Sequence, residues 1–237
     1  MRTLCLLFLL VGALAAQPLA REAHLRDLKR QGFRVSPGLP TGGPRTLRPP
    51  QEIGRRMLAL HALSLWVAGS PRWSDQQVRD YVAHLRLEGC LTADERAILK
   101  LSRDQARELH LDDIGWKLEN LWALAWVTGF DLKPGIRGQF AGPELRRLVF
   151  EWLPGSTADS QTKFLKNLHT RPTLEVADLE DYFYCCHNAV RSAQLGGKTV
   201  PEDYDPVAEG GCVHERRHAL TWCLSPGVSW NETDLNT

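Results

Sequence analysis

The chain has 237 residues, of which 43% are hydrophobic and 24% are charged. These values are ordinary for one large globular domain, or two small ones, with a real hydrophobic core. The 29 basic and 28 acidic side chains are well interspersed and give a formal net charge of +1. Such a balance creates no overall field that would steer nucleic acid or an anionic membrane to the protein, so we predict no nucleic-acid partner.

The N-terminus has the three parts of a secretory signal peptide. Arg2 gives a positive start, an apolar run covers residues 4–14, and Ala-Leu-Ala at residues 13–15 is a small-x-small cleavage triplet. A membrane-spanning helix needs about twenty apolar residues, and Gln17 interrupts the run too early for that. We therefore predict that residues 1–15 are a cleaved signal peptide and that the protein is periplasmic or secreted. No integral membrane segment is expected after cleavage.

Five cysteines remain after the signal peptide, namely Cys90, Cys185, Cys186, Cys212 and Cys223. In an oxidising compartment some of them could pair, but an odd number leaves at least one thiol free. On one helix Cys212 and Cys223 would be separated by about 16 Å of rise, which is too far for a disulfide. The alternative is that several cysteines are small buried apolar residues.

Residues 16–50 are predicted to form a short helix followed by a strap. Residues 19–31 are charged, with leucines at helical spacing, and Gly32 ends the predicted helix. Residues 36–50 contain five prolines and three glycines, which excludes regular structure. The rest of the chain, residues 51–237, is assigned to a helical domain.

Seven helices are predicted in that domain. The first spans residues 51–68 and is apolar most of the way round, as expected of a buried helix. Ser74 caps the second, which is expected to end at Gly89, and Thr92 with Glu95 forms the capping box of the third. The remaining helices are predicted over residues 112–128, 143–153, 174–195 and 213–224.

No stretch alternates apolar and polar residues for long enough to indicate a strand. The predicted fold class is therefore all-α, a compact multi-helix domain of seven to eight helices behind the cleaved signal peptide. Residues 112–128 become wholly apolar from Leu121 and are predicted to be the central core helix.

The order of several segments resembles a bacterial family known as domain of unknown function 4272. The matching segments include REAHLRDLKRQG, LRPPQEIGRRMLAL, LTADER, WKLENLWALAWVTG, LEDYFYCCHNAVRSAQ and ERRHALTW. Each is a weak motif alone, but their order over some two hundred residues is fairly specific, and the resemblance spans about residues 21–237. The resemblance implies a helical domain and no established activity.

One segment satisfies a known zinc motif. His214-Glu215-Arg216-Arg217-His218 reads H-E-x-x-H, which on a helix places two histidines on one face to hold zinc, with the glutamate activating water. Glu232 or Asp234 could supply a third ligand.

Three observations weigh against a metal site there. Both inner positions of the motif are arginine, only nineteen residues follow His218, and the family resemblance aligns the segment as E-R-R-x-A-L-x-W. We keep a zinc-dependent hydrolase using His214, Glu215 and His218 as the alternative function, and we assign no catalytic, cofactor or metal residue.

A second group of polar residues shares one stripe of the helix predicted over residues 174–195: Glu180, Tyr184, His187 and Arg191. With Glu215 and Arg216 these side chains could form an acid/base or anion-binding pocket. The favoured interpretation is a half-buried ion-pair network that joins two helices. Within it we predict an ion pair between Glu215, near a helix N-terminus, and Arg191.

The tryptophans are assigned to structure. Trp122 and Trp126 are predicted to pack in the core, Trp222 to be buried, and Trp230 to hold the C-terminal tail against the domain. No phosphate-binding loop, G-x-S-x-G nucleophile elbow or zinc-finger spacing is present in the sequence. The predicted function is an exported helical protein with no identifiable activity, which binds another protein or has a structural role in the cell envelope.

Overall fold

The computed structural model describes residues 20–43, 45–138 and 142–237. The predicted signal peptide, residues 1–15, lies outside these ranges. Within them the chain forms ten α-helices, two short 3-10 helices and no strand. The all-α fold class is therefore confirmed, with more helices than the seven to eight predicted.

The first helix of the described residues, α1, covers residues 20–30. The others are α2 (Pro50–Ala68), α3 (Asp75–His84), α4 (Ala93–Lys100), α5 (Arg103–His110), α6 (Ile114–Val127), α7 (Pro143–Trp152), α8 (Ala158–Asn167), α9 (Thr173–Gln194) and α10 (Ala208–Cys223). The 3-10 helices are η1 (Leu87–Cys90) and η2 (Trp230–Glu232). Between α1 and α2 the described part of the strap has no regular structure, as predicted.

Two helices, α5 and α8, were not predicted from the sequence. Both are short and polar, and α5 buries only Ala106 while α8 buries only Gln161 and Leu165. Neither helix therefore has a continuous apolar stripe, which is the sequence pattern that predicts an amphipathic helix. Their N-terminal caps are nevertheless present in the sequence, as a capping box at Ser102 and a side-chain cap at Thr157.

The core forms where α2, α6, α9 and α10 pack together. In α6 every residue from Leu118 to Val127 is buried, which confirms this helix as a central one and places Trp122 and Trp126 in the core. In α2 fourteen of the nineteen residues are buried, as its apolar circumference predicts. These helices position the polar side chains discussed below.

Helix α10 begins at Ala208 rather than near residue 213, because two glycines allow it to continue. A Cβ on Gly210 would lie 2.6 Å from Cγ1 of Val190 in α9, and one on Gly211 would lie 2.5 Å from the ring of Trp116 in α6. Gly210 and Gly211 therefore let α10 approach both neighbours more closely than any other residue would.

The N-terminal segment and the tail are both fixed to this core. The guanidinium of Arg21 donates to the carboxylate of Asp181 in α9 over 2.8 Å, and Arg48 donates to the carbonyl of Trp222 in α10. Trp230 is buried against Trp222, with ring centroids 5.3 Å apart. The predicted roles of Trp222 as a buried residue and of Trp230 as the tail contact are confirmed.

All five cysteines that follow the predicted signal peptide are free thiols, and all but Cys90 are buried. Cys212 and Cys223 lie on one helix, α10, as the spacing argument assumed. Burial raises the pKa of Cys185 to about 12, so this thiol is held in its protonated, unreactive form. No helix in the described part of the chain is long and apolar enough to cross a membrane.

Candidate functional site

The H-E-x-x-H segment lies in the middle of α10, with its two histidines one turn apart. The ring centroids of His214 and His218 are 6.4 Å apart. Nε2 of His218 lies 2.8 Å from the carbonyl oxygen of Trp230, and its ring packs on the Trp230 indole with centroids 4.4 Å apart. Since a carbonyl only accepts, Nε2 of His218 carries the proton and holds the tail.

His214 contacts a third histidine, His187 in α9. Its Nδ1 lies 3.4 Å from Nε2 of His187 in α9, and the guanidinium of Arg217 lies 2.7 Å from Nδ1 of His187. An arginine only donates hydrogen bonds, so Nδ1 of His187 must accept and its proton must be on Nε2. His187 therefore donates to His214, and the proton of a neutral His214 is on Nε2.

This polarity is unfavourable for zinc. A histidine that ligates a metal through one ring nitrogen donates the N–H of its other nitrogen to an acceptor. Nδ1 of His187 faces the guanidinium of Arg217, which is a donor and cannot accept that N–H. Nε2 of His218 is already hydrogen-bonded to a carbonyl oxygen. The proposed third ligands serve local turns, since Glu232 accepts from Ser229 and Asp234 accepts from the amide of Asn236. Among the described residues no group of three His, Cys, Asp or Glu side chains is arranged to hold a metal ion.

The two arginines inside the motif are buried and stabilise neighbouring elements. Nε of Arg216 lies 2.7 Å from a carboxylate oxygen of Glu119 in α6, and its terminal nitrogens donate to the carbonyls of Gly135 and Gly138. Arg217 donates to the carbonyls of Leu235 and Asn236 in the tail.

The polar stripe of α9 does form a buried network with α10, centred on Glu180. One oxygen of Glu180 accepts from Thr221 at 2.9 Å and lies 3.5 Å from Nε of Arg217, while the other lies 3.6 Å from Arg45. The guanidinium of Arg217 also lies over the Tyr184 ring, 4.7 Å from its centroid. The network interpretation is therefore supported, although its α10 members are Arg217 and Thr221 rather than Glu215 and Arg216.

The predicted ion pair between Glu215 and Arg191 is wrong. The side-chain amide of Asn120 in α6 donates to both the carboxylate and the backbone carbonyl of Glu215, at 2.9 and 2.7 Å. Arg191 donates instead to the side chain of Gln194. Because α10 starts at Ala208, Glu215 lies in the middle of the helix and not near its N-terminus.

Burial, together with the charge of Arg217, lowers the pKa of His187 to about 3. Burial also lowers the pKa of His214, although the neighbouring carboxylate of Glu215 opposes the shift. Both rings are therefore neutral at physiological pH, which agrees with the hydrogen-bond directions.

These side chains line an open groove of about 570 Å³ between α6, α9, α10 and the tail, which we call the histidine groove. Its lining includes Trp116, His187, Arg191, His214, Glu215 and Asn236. The groove contains neutral imidazoles, one carboxylate, one guanidinium and an indole, so it can hydrogen-bond and bind charge of either sign.

A second groove of about 520 Å³ lies between α2, α3, η1 and α4, and we call it the cationic groove. Its apolar lining includes Val78, Val82, Leu91 and Leu99, and its charged lining comprises Arg79, Arg96, Lys100 and Glu88. Nothing in the sequence pattern pointed to it, because its residues come from three α-helices and a 3-10 helix and share no motif.

The comparisons with known proteins bear on the chain as a whole. A family model described as Domain of unknown function (DUF4272) matches residues 21–233. The chain belongs to this family. The resemblance noted in the sequence is thus confirmed, and a search of curated proteins and a search of solved structures each gave no match.

The DUF4272 match covers the helices that form both grooves, whereas Leu235 and Asn236, which Arg217 holds, lie beyond its end. The sequence of this DUF4272 chain identified His187, His214 and Glu215 as candidates but gave Arg217 and Asn120 no role. Asn120 directly precedes the apolar run of α6, and a polar residue in a buried helix is the signal that could have identified it.

Proposed function

We propose that this protein is exported and acts by binding another protein through the cationic groove. The observation that carries the proposal is an apolar floor flanked by exposed cations. Val78 and Leu91 are nearly fully buried at this floor, and Arg96 and Lys100 are exposed beside it. A groove that combines apolar surface with mainly positive charge is typical of a site for an amphipathic segment.

The local charge is distinct from that of the whole chain. Three cations and the single acid Glu88 line the groove, while the chain has a formal net charge of only +1. Lys100 forms no ion pair within the described residues, and Arg96 donates to the backbone carbonyl of Leu91 rather than to a carboxylate. Their positive charges are therefore available to a partner.

Arg79 lies at the edge of the floor, with its guanidinium 4.7 Å from the centroid of the Trp66 indole. Arg103 lies on the same indole at 5.6 Å and is already paired with Asp75. Stacking on an aromatic ring holds a guanidinium in place without neutralising it. Arg79 is thus pre-positioned to meet an acidic side chain.

The occupant that fits these features is an amphipathic helix of a partner protein, with apolar residues on one face and aspartate or glutamate beside them. Its apolar face would cover the floor, and its acids would pair with Arg96 and Lys100. Pairs at an exposed rim mainly raise the association rate and are weakened by salt. Binding should therefore weaken as ionic strength increases.

A direct test uses a synthetic helix with leucines on one face and glutamates on the other, and the same helix with lysines in place of glutamates. The glutamate probe should bind and the lysine probe should not. The double variant Arg96→Glu/Lys100→Glu should weaken binding at least roughly tenfold, since each reversal replaces an attraction of up to about 1 kcal/mol with a repulsion.

The matched control is Arg146→Glu/Lys166→Glu, which reverses one exposed arginine and one exposed lysine on α7 and α8. Equal binding of both probes, or an equal loss in the control, would contradict the proposal. To find the natural partner, a photo-crosslinking residue replaces the exposed Ala83 in the groove, with Ala158 as the control position. The segment linked at Ala83 should be acidic and amphipathic.

The export part of the proposal is supported by the signal-peptide pattern of residues 1–15. Mass spectrometry of protein from the organism that makes it should find an N-terminus at Ala16 or within two residues of it. Intact Met1 on protein from the cytoplasmic fraction would refute export and leave the groove proposal to be judged on its own test.

A further inference from the structure

We propose that the histidine groove binds a small zwitterion, with its ammonium group at Glu215 and Trp116 and its carboxylate or phosphate group at Arg191 and His214. This site uses residues different from those of the cationic groove, and its test is independent of the function proposed above. The inference starts from two charges of opposite sign that line one groove and do not pair with each other.

Glu215 is a half-buried carboxylate without a cationic partner among the described residues. Within the part of the chain that the structure describes, its only side-chain hydrogen bond comes from the neutral amide of Asn120, at 2.9 Å. Partial loss of hydration raises the free energy of a charged carboxylate unless a cation approaches it. The amide of Asn120, which also holds the Glu215 carbonyl at 2.7 Å, fixes the carboxylate in position for such a cation.

Trp116 makes the same end of the groove suitable for an alkylammonium group. Its ring lies against Gly211, one helical turn before Glu215, where a Cβ would approach the ring to 2.5 Å. The indole is half-buried and lines the groove. A carboxylate beside an indole offers an ammonium group both an ion pair and a cation–π contact.

Arg191 supplies the opposite charge on the α9 side of the groove. It is exposed, and it donates to the neutral side chain of Gln194 rather than to an acid. His214 adds a donor, because its Nδ1 faces His187 and its proton is therefore on Nε2. A guanidinium and an imidazole N–H together suit a carboxylate or a phosphate.

The experiment measures binding of defined probes to the mature protein by titration calorimetry. The zwitterions are glycine, β-alanine, γ-aminobutyrate, ε-aminocaproate and phosphoethanolamine, and the singly charged controls are propylamine and propionate. At least one zwitterion should bind at least roughly tenfold more tightly than either control, because two charge contacts replace one. The preferred spacing, and the preference for carboxylate or phosphate, identify the ligand subclass.

Two neutralising variants assign each end of the ligand. Glu215→Gln should abolish the preference for the zwitterion over propionate, and Arg191→Gln should abolish the preference over propylamine. Glu22→Gln and Arg146→Gln, at exposed positions elsewhere, are the matched controls and should bind as the parent does. Because the side-chain oxygen left by Glu215→Gln still accepts from Asn120, the thermal midpoint of that variant should be unchanged.

The proposal is overturned if no zwitterion binds at millimolar concentration, or if the singly charged compounds bind as tightly. It is also overturned if binding survives in both Glu215→Gln and Arg191→Gln. As a second readout, the indole N–H resonance of Trp116, assigned with Trp116→Phe, should shift on addition of the zwitterion and stay in place with propionate.

Discussion

The ion pair between Arg56 and Glu95 provides the most demanding test of the fold. Both side chains are only 2% exposed, and two N–O contacts of 2.6 and 2.8 Å join α2 to α4. Glu95 also closes the capping box at Thr92, and the guanidinium of Arg56 lies 4.0 Å from the centroid of the Trp230 ring. One carboxylate thus holds two helices and, through Arg56, the tail.

We expect Glu95→Ala to lower the free energy of unfolding by about 4–6 kcal/mol. A buried arginine left without its partner costs about 3–5 kcal/mol, and loss of a capping interaction adds about 1 kcal/mol. Glu95→Gln keeps an oxygen for the cap and should lose only the first of these contributions. Adding Arg56→Met to Glu95→Gln removes the stranded charge, so stability should be partly restored, with a coupling of roughly 2–3 kcal/mol.

The measurement is urea denaturation followed by circular dichroism, with the midpoint and slope determined for each variant. The control is Glu144→Gln, which breaks a solvent-exposed pair on α7 and should leave the unfolding curve unchanged. A loss below about 1 kcal/mol for Glu95→Ala would refute the reasoning, because that value is typical of a solvent-exposed pair. Additive effects of Arg56→Met and Glu95→Gln would refute it as well.

Three further predictions concern the other sites. Trp222→Ala should lower the free energy of unfolding by roughly 3–5 kcal/mol in the same urea assay, since Trp222 is buried against Trp230 and Arg48; a loss below about 1 kcal/mol would contradict this burial. Purified protein should contain far less than one equivalent of zinc by elemental analysis, and a chelator should leave its thermal midpoint unchanged. One equivalent of zinc that is lost in His214→Ala or His218→Ala would instead support the zinc-dependent hydrolase. Burial lowers the pKa of both His61 and His187 to about 3. Below about pH 6.5 the unfolded chain therefore binds more protons than the folded chain. The free energy of unfolding should decrease as the pH falls through that value. His187→Gln should reduce this slope, and an unchanged slope would show that His187 titrates normally.

Carboxylates affect stability at lower pH, which separates their contribution from that of the histidines. Burial opposes ionisation of Glu95, but hydrogen bonds and charge from Arg56 outweigh it, and the pKa of Glu95 lies below 4.5. A depressed carboxyl pKa stabilises the folded state above the unfolded pKa and loses that effect as the pH falls through the folded value. The range between about pH 4.5 and 6.5 therefore reports mainly on the histidines.

The sequence predicted the helices that carry an apolar stripe. It did not predict α5, because this eight-residue helix buries a single side chain, Ala106, and has no apolar stripe. The start of α10 was placed too late because Gly210 and Gly211 indicate a turn when no neighbour is known. In the folded chain these glycines have no Cβ, and the side chains of Val190 and Trp116 can therefore pack directly against the backbone of α10.

The same error explains the wrong partner for Glu215. A helix starting near residue 213 would put this carboxylate in the first turn, where a charge partner on the preceding helix is a reasonable expectation. The actual partner, Asn120, comes from α6 and is separated from Glu215 by 95 residues. Periodicity assigns a face within one helix, but it does not reveal which distant helix that face meets.

The direction of hydrogen bonding at His187 also limits how protons can move along this row of side chains. A histidine that relays a proton takes it on one ring nitrogen, releases it from the other, and then returns to its starting tautomer. The guanidinium 2.7 Å from Nδ1 of His187 cannot accept a proton from that nitrogen, since arginine has no lone pair to offer. A proton delivered from the groove to His214 therefore has no path inward through His187, and it must leave on the side from which it came.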